Sequence, residues 1–201
     1  MIVVVDYGLG NITSVCRAFE KVGADVMVVS DPEDIIGARK IVLPGVGAFK
    51  KAMDNIRNLE LLDCLKEYYN SGCAYLGICL GMQVLFEVSH EHGINSGFGA
   101  ISGSVEMFCE GVRIPHIGWN QVEISVPDDI FCGIDNNSYF YFDHSYRVGV
   151  CEEGAVRGRT EYGTSFVSAV RKANIWGVQF HPEKSGSVGL KMIKNFVDYV
   201  C

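Results

Sequence analysis

Four short apolar runs in the first half of the chain, set between stretches of helical spacing, restrict its fold more than any other feature. Ile2–Val5 is apolar at every position, as a strand buried on both faces must be. Asn11 then stands where a helix N-cap belongs, Ile12, Val15, Cys16 and Phe19 recur at helical spacing, and Gly23 closes the segment. Asp25–Val29 reads as a second strand and leads into Asp31-Pro32-Glu33, an acidic cap with proline at the first helical position. Lys40–Leu43 is a third strand, ended by Pro44-Gly45-Val46-Gly47. Helical patterns around Met53 and over Leu61–Tyr69 precede a fourth strand, Ala74–Ile78, which runs into Cys79 and a predicted helix carrying Met82, Leu85 and Phe86. Strands separated by helices in this way pair in parallel, and the crossover helices cover both faces of the sheet.

From Gly97 onward the pieces become closely spaced and β-like: Val105–Phe108, Gln121–Val126, Tyr139–Phe142, Ala155–Arg159, Phe166–Val170 and Ile175–Phe180. Helix returns at Gly189–Tyr199, with Leu190, Ile193, Phe196 and Val197 on one face. No repeat or linker interrupts the chain. The expectation is therefore a single α/β domain over residues 1–201, with a mostly parallel central sheet flanked by helices and antiparallel strands added in the second half. A content of 48% hydrophobic and 20% charged residues suits such a core.

Seventeen Lys and Arg against 24 Asp and Glu give a net charge of −7, and no basic run reverses it locally, so nucleic acid is excluded as a partner. Ile2–Val5 is far shorter than the ~20 residues that span a bilayer, and no basic segment precedes it, so neither a membrane anchor nor a signal peptide is expected. Eight cysteines in 201 residues fall below the ~8–10% of a disulfide scaffold. None is spaced as CxxC; a reducing cytoplasm and no bound metal are expected.

The sharpest local pattern is Gly77-Ile78-Cys79-Leu80-Gly81-Met82-Gln83. Glycines two residues either side of a nucleophilic side chain, between a buried strand and a helix, form a nucleophile elbow with sulfur in place of oxygen. A cysteine there lies beside a helix N-terminus, where free N–H groups favour thiolate and can stabilise an oxyanion. An isolated cysteine is more often a small core residue. The two glycines at the C-terminal end of a parallel strand shift the balance, because open α/β sheets place their sites at that end.

A thiolate nucleophile needs a base. His90 and His92, in Ser89-His90-Glu91-His92-Gly93, read as capping residues past a helix end; His116 precedes Ile117-Gly118-Trp119, and His144 follows an acidic, aromatic strand end. His181 instead ends the strong strand Trp176–Phe180 and is followed by Pro182 and Glu183. The proline stiffens the turn, so a carboxylate two residues on can orient the imidazole while its other nitrogen serves the sulfur. Gly8-Leu9-Gly10 lacks the third glycine of a dinucleotide fingerprint, since Thr13 stands there, and no cofactor is assigned to it.

Taken together, GICLGMQ around Cys79, FHPE at Phe180–Glu183 and LPGVG at Leu43–Gly47 resemble the class I, triad-type glutamine amidotransferases, whose fold is flavodoxin-like. DYGLGN at Asp6–Asn11, IPHIGWN at Ile114–Asn120 and HSY at His144–Tyr146 are similar, more narrowly, to glutaminase subunits of imidazole glycerol phosphate synthases. The resemblance runs from Ile2 to the final helix. It implies that Cys79 attacks the side-chain amide of L-glutamine, His181 moves the proton and Glu183 holds His181. It implies an oxyanion hole from Leu80 and the Gly45-Val46-Gly47 loop. Glutamine would be held by Gln83 and Glu91, the latter suited to the α-ammonium, and by His144, Ser145 and Tyr146.

The resemblance further implies a heterodimer with a barrel-shaped cyclase or synthase subunit. That subunit receives the ammonia through a tunnel, switches the glutaminase on and consumes a phosphoribosyl-aminoimidazole-carboxamide nucleotide on the way to histidine and purines. Trp119, Tyr141, Asp143 and Lys184 are the expected partner face. Asp143 departs from the pattern, which has an apolar residue, most often Val, before the HSY histidine. An altered partner surface also suits a paralogous glutaminase subunit feeding another acceptor, such as a surface-glycan amidotransferase. Glyoxalase or deglycase-type enzymes share the cysteine elbow but lack the His-Pro-Glu and Gln83. A non-catalytic scaffold would have no need of all three triad residues.

Overall fold

Parallel pairing organises the first half of the chain, in a computed structural model that describes residues 1–35 and 37–198. The elements run β1 (Ile2–Val5), α1 (Ile12–Lys21), β2 (Val26–Val29), α2 (Pro32–Ile35), β3 (Lys40–Gly45), α3 (Phe49–Asn58), α4 (Leu61–Asn70) and β4 (Ala74–Cys79). The strands lie side by side as β2-β1-β3-β4, all parallel. Alternate residues of β1 serve opposite faces: Val3 and Val5 join one core, Ile2 and Val4 the other. That is why the run is apolar at every position. Asn11 caps α1 as its sequence predicts, its side-chain oxygen accepting the Ser14 N–H at 3.2 Å.

β3 runs beyond Leu43 to Gly45, because β4 offers a partner for each added residue, Ile78 for Pro44 and Cys79 for Gly45. The helix expected after Cys79 is corrected. It is a single turn, α5 (Leu80–Gln83), and Phe86 opens a strand, β5 (Phe86–Ser89). The Val84, Leu85 and Phe86 carbonyls accept the N–H groups of Phe98, Ala100 and Gly99, so tertiary pairing overrides the helical spacing of Leu85 and Phe86. His90 and His92 accordingly follow a strand rather than a helix end.

The second half adds β6 (Asn95–Ser96), β7 (Ile101–Met107), β8 (His116–Ile124), β9 (Ser138–His144), β10 (Tyr146–Cys151), β11 (Val156–Glu161), β12 (Ser165–Lys172), β13 (Ile175–Val178) and α6 (Gly186–Asp198). β13 returns to the centre and lies parallel to β4, completing a parallel run β2-β1-β3-β4-β13. β12 pairs antiparallel with β13 and opens the extension, which is antiparallel except where β5 lies parallel to β7. From it the sheet continues through β10, β7, β5 and β6, while β11, β8 and β9 branch away. Six of these strands answer to the β-like pieces of the sequence, although β8 starts earlier, at His116. β10 is a strand the sequence reading did not include. The terminal helix begins at Gly186, and Tyr199, expected to close it, lies outside the described residues.

One buried carboxylate ties the extension to the centre. Asp128 accepts the Trp176 Nε1–H at 2.8 Å and the Ile130 N–H at 3.2 Å, and pairs with Arg157 at 3.2 Å and Arg171 at 3.3 Å. The Arg171 guanidinium also lies over the Trp176 ring, 4.5 Å from its centroid. Asp128→Ala leaves these donors without their acceptor, and a loss of about 3 kcal/mol in unfolding free energy is expected by chemical denaturation. A loss below about 1 kcal/mol, the size of an exposed ion pair, would mean the donors are satisfied by solvent instead.

Candidate active site

Sheet register assembles the site before any side chain is considered. Gly45 lies opposite Cys79, and Ile78 opposite Val178, so the C-terminal ends of β3, β4 and β13 converge. Cys79 turns the chain from β4 into α5 at φ 55° and ψ −108°, a strained conformation for a residue with a Cβ. The elbow glycines are required by close approach: a Cβ on Gly77 would run into the Gly81 carbonyl, and one on Gly81 into that of Leu43. Gly45 is held just as tightly, against the Tyr7 hydroxyl.

His181 follows β13, and its N–H donates to the Tyr141 carbonyl at 2.8 Å, which fastens it to β9. Pro182–Lys184 forms a single 3₁₀ turn. This turn brings Glu183 back so that its Oε1 lies 2.8 Å from His181 Nδ1, with the two side chains 2% and 3% exposed. Ser185 Oγ donates to the His181 carbonyl at 2.6 Å and accepts the Tyr141 N–H at 2.9 Å, clamping the turn. His181 Nε2 is buried on the Cys79 side, and the sulfur acts on the ring through its charge and through a side-chain contact. Burial alone would lower the His181 pKa, but the negative charge of the Cys79 sulfur and the Glu183 carboxylate together raise it to about 10. The imidazole is therefore a cation at neutral pH, poised as a proton donor.

A cavity of about 490 Å³ opens over Cys79, lined among others by Val46, Gly47, Leu80, Gln83, Glu91 and Tyr146. Glu91 is buried, and its Oε2 accepts the N–H of Phe49, the first residue of α3, at 2.7 Å. One carboxylate thus both faces the cavity and holds the end of the Gly45–Gly47 loop. Gln83 Nε2 donates to the Tyr146 carbonyl and to Gln179 Oε1, each at 2.9 Å. Asp143, His144 and Ser145 form another part of the wall, and the Asp143 carbonyl lies 3.9 Å from the Cys79 sulfur.

The four residues expected on a partner face do gather. Trp119 and Tyr141 are cross-strand neighbours in the β8–β9 ribbon, their rings edge to face at 6.2 Å. Lys184 lies 5.5 Å from the Tyr141 ring centroid and 3.8 Å from the Asp143 carboxylate. Trp119 is 55% exposed, an unusual position for its ring.

Two features escaped the sequence reading. Gln179 Nε2 donates to the Cys79 sulfur at 3.5 Å. Its signal was available, since a glutamine two residues before His181 in a buried strand points to the same face as the imidazole. His116 and His144 pair through Nδ1 and Nε2 at 3.0 Å, inside a box of Phe108, Phe142, Tyr162 and Phe166. Burial lowers their pKa values to about 4 and about 3, so both rings are neutral. His144 Nδ1 then donates to the Tyr146 carbonyl, which fixes every tautomer in the pair. Among the described residues no cluster of three or more His, Cys, Asp or Glu is placed to hold a metal. Nor is any described helix long and apolar enough to cross a membrane.

The model of the glutamine amidotransferase class-I family matches residues 3–199. The chain belongs to that family. The imidazole glycerol phosphate synthase subunit HisH of Moorella thermoacetica is 44% identical over 199 residues, which is 99% of this chain and 95% of the relative. The HisH subunit of Aquifex aeolicus is 46% identical over 195 residues, or 96% of this chain and 94% of that one. Among solved structures, a crystal structure of glutamine amidotransferase superposes with a TM-score of 0.79 at 20% identity, covering 98% of both chains, a likeness of fold.

The charge coupling gives a direct test. A raised folded-state pKa means that the stabilising charge on His181 is fully present below its unfolded value of 6.5 and is lost as pH rises toward about 10. Cys79→Ala removes the sulfur's contribution, so the His181 imidazole, followed by nitrogen NMR, is expected to deprotonate at lower pH than in the parent. An unchanged titration would assign the raised value to Glu183 alone.

Proposed function

We propose that this chain is the glutaminase subunit of an imidazole glycerol phosphate synthase, hydrolysing L-glutamine and passing the ammonia to a barrel-shaped cyclase subunit in histidine biosynthesis. The observation that carries the reading is the Glu183–His181 pair coupled to Cys79, which lines a cavity that a buried carboxylate, Glu91, also lines. The identity to HisH subunits over almost the whole chain supports the choice of acceptor pathway.

In this reading the Cys79 thiolate attacks the side-chain amide carbon of glutamine, and the oxyanion faces the backbone N–H of Leu80 and the Gly45-Val46-Gly47 loop. As the tetrahedral intermediate collapses, the proton on His181 Nε2 goes to the leaving nitrogen, ammonia departs and a thioester remains. Neutral His181 then takes a proton from water, the hydroxide displaces the sulfur, and glutamate leaves with thiolate and imidazolium restored. Glu183 keeps the ring oriented throughout. Glu91 receives the substrate α-ammonium on the carboxylate oxygen that Phe49 does not use, while Gln83, His144, Ser145 and Tyr146 shape the wall around it.

Ammonia becomes mostly ammonium in neutral water and loses its nucleophilic lone pair, so a dry path to the acceptor is chemically useful. Trp119, Tyr141, Asp143 and Lys184 border the site on the face a barrel subunit would cover. In this reading the Asp143–Lys184 pair gives that face a charge pattern of its own, which suits a matched partner.

The test is glutamate release by the complex with a cyclase subunit, compared with the isolated chain. Cys79→Ala is expected to abolish hydrolysis, Ala at each other cysteine to leave it within about two-fold, and the partner with its own ligand to accelerate the parent. Activity in Cys79→Ala would overturn the nucleophile assignment. Equal rates with and without partner would mean that the oxyanion hole is complete in the free subunit.

A further inference from the structure

Beyond the three residues of the triad, a second side chain touches the sulfur. Tyr146 contributes a backbone carbonyl, which only accepts hydrogen bonds, and Gln83 Nε2 points at it from 2.9 Å. The amide end of Gln83 is therefore fixed. Its second proton goes to Gln179 Oε1, also at 2.9 Å, and this in turn fixes Gln179, whose NH2 must face away, toward Cys79 Sγ at 3.5 Å. The polarity of the whole chain is thus set by one carbonyl and ends in a donor aimed at the nucleophile. Gln179 is fully buried on the sheet, its own N–H bonded to the Ser168 carbonyl at 2.9 Å, so the side chain starts from a rigid base.

We propose that Gln179 is a dedicated hydrogen-bond donor to the Cys79 thiolate, oriented by Gln83, so that the cavity wall that receives glutamine also sets the reactivity of the sulfur. This rests on Cys79 being the nucleophile. A hydrogen bond to the charged form of a thiol favours that form, and in a buried site water does not replace it. His181 supplies a cation to one side of the sulfur and Gln179 a neutral dipole to another. The dipole keeps its sign whether His181 holds or has given up its proton, so it acts on the sulfur both when the thiolate attacks and when it leaves. Besides Glu91, His92, Asp143 and Tyr146, which line the same cavity, the titratable groups around the sulfur are Tyr7, from the segment after β1, and His144, which faces His181. Both are neutral near pH 7, because burial raises the phenol and lowers the imidazole.

The experiment measures Cys79 alkylation by iodoacetamide against pH, read by mass spectrometry of the Cys79 peptide, alongside kcat and KM for glutamine in the complex. Gln179→Met keeps the volume and removes the donor; the alkylation midpoint is expected to rise by roughly one pH unit. Its kcat is expected to fall about ten-fold or more, with KM changed far less, since the lost interaction is with the nucleophile. Gln179→Glu places an acceptor against the sulfur, and its midpoint is expected to rise further. Should neither variant fold, the parent still decides: the Gln179 side-chain amide proton, assigned by NMR, is expected to shift with the same midpoint as alkylation. An unchanged midpoint and kcat in a folded variant, or an amide proton indifferent to the sulfur's titration, would overturn the inference. Cys79→Ala separates the two levels, because an active Cys79→Ala enzyme defeats the nucleophile assignment itself, whereas an inactive one with normal Gln179 variants defeats only this proposal.

Discussion

The parallel pairing of β4 with its neighbours β3 and β13 is the constraint on which the rest of the site depends. Gly45 faces Cys79 across one side of β4, and Val178, three residues before His181, faces Ile78 across the other. Backbone hydrogen bonds of the sheet thereby fix the separation of Cys79, His181 and the Gly45–Gly47 loop, although the three segments are far apart in the chain. A site built on strand ends is held more rigidly than one built on loops, which suits chemistry that fails if a proton donor is misplaced by an ångström.

Holding three strand ends so close demands that something be missing between them. Gly77 and Gly81 leave room for backbone against backbone, and Gly45 leaves room for the Tyr7 hydroxyl. The elbow residue carries the remaining strain at positive φ, in a place where neighbouring strands over-determine its conformation. The electrostatics follow from this burial. Removed from water, the Cys79 sulfur, His181 and Glu183 feel one another strongly, and their mutual attraction outweighs the desolvation that would otherwise keep the imidazole neutral.

The parts of this arrangement that were legible in the sequence are those that local pattern determines. An apolar run with glycines around a cysteine permits few structures other than a strand, an elbow and a helix start, and a His-Pro-Glu after a strong strand reads the same way. Phe86 misled because its spacing from Met82 and Leu85 fits a helix; its place in β5 is decided by pairing with Ile101, far along the chain. β10 was overlooked although Tyr146, Val148 and Val150 alternate with Arg147 and Gly149 as a strand requires, and its register, with an irregularity between Val148 and Val150, comes from β7. The pairing of His116 with His144 and the Gln83–Gln179 chain belong to the same group: each joins residues from different strands, so no spacing along the chain announces them.

The account stands or falls on Cys79 being the one sulfur that meets the glutamine amide carbon. A chloroketone analogue of glutamine, which alkylates a thiolate positioned for attack, tests this directly when the complex is digested and the modified peptide located by tandem mass spectrometry. The expected result is one analogue per chain, on the peptide containing Cys79, with labelling suppressed by excess glutamine. Inactivation accompanied by label on a different residue, or labelling of Cys79 that glutamine fails to protect, would contradict it.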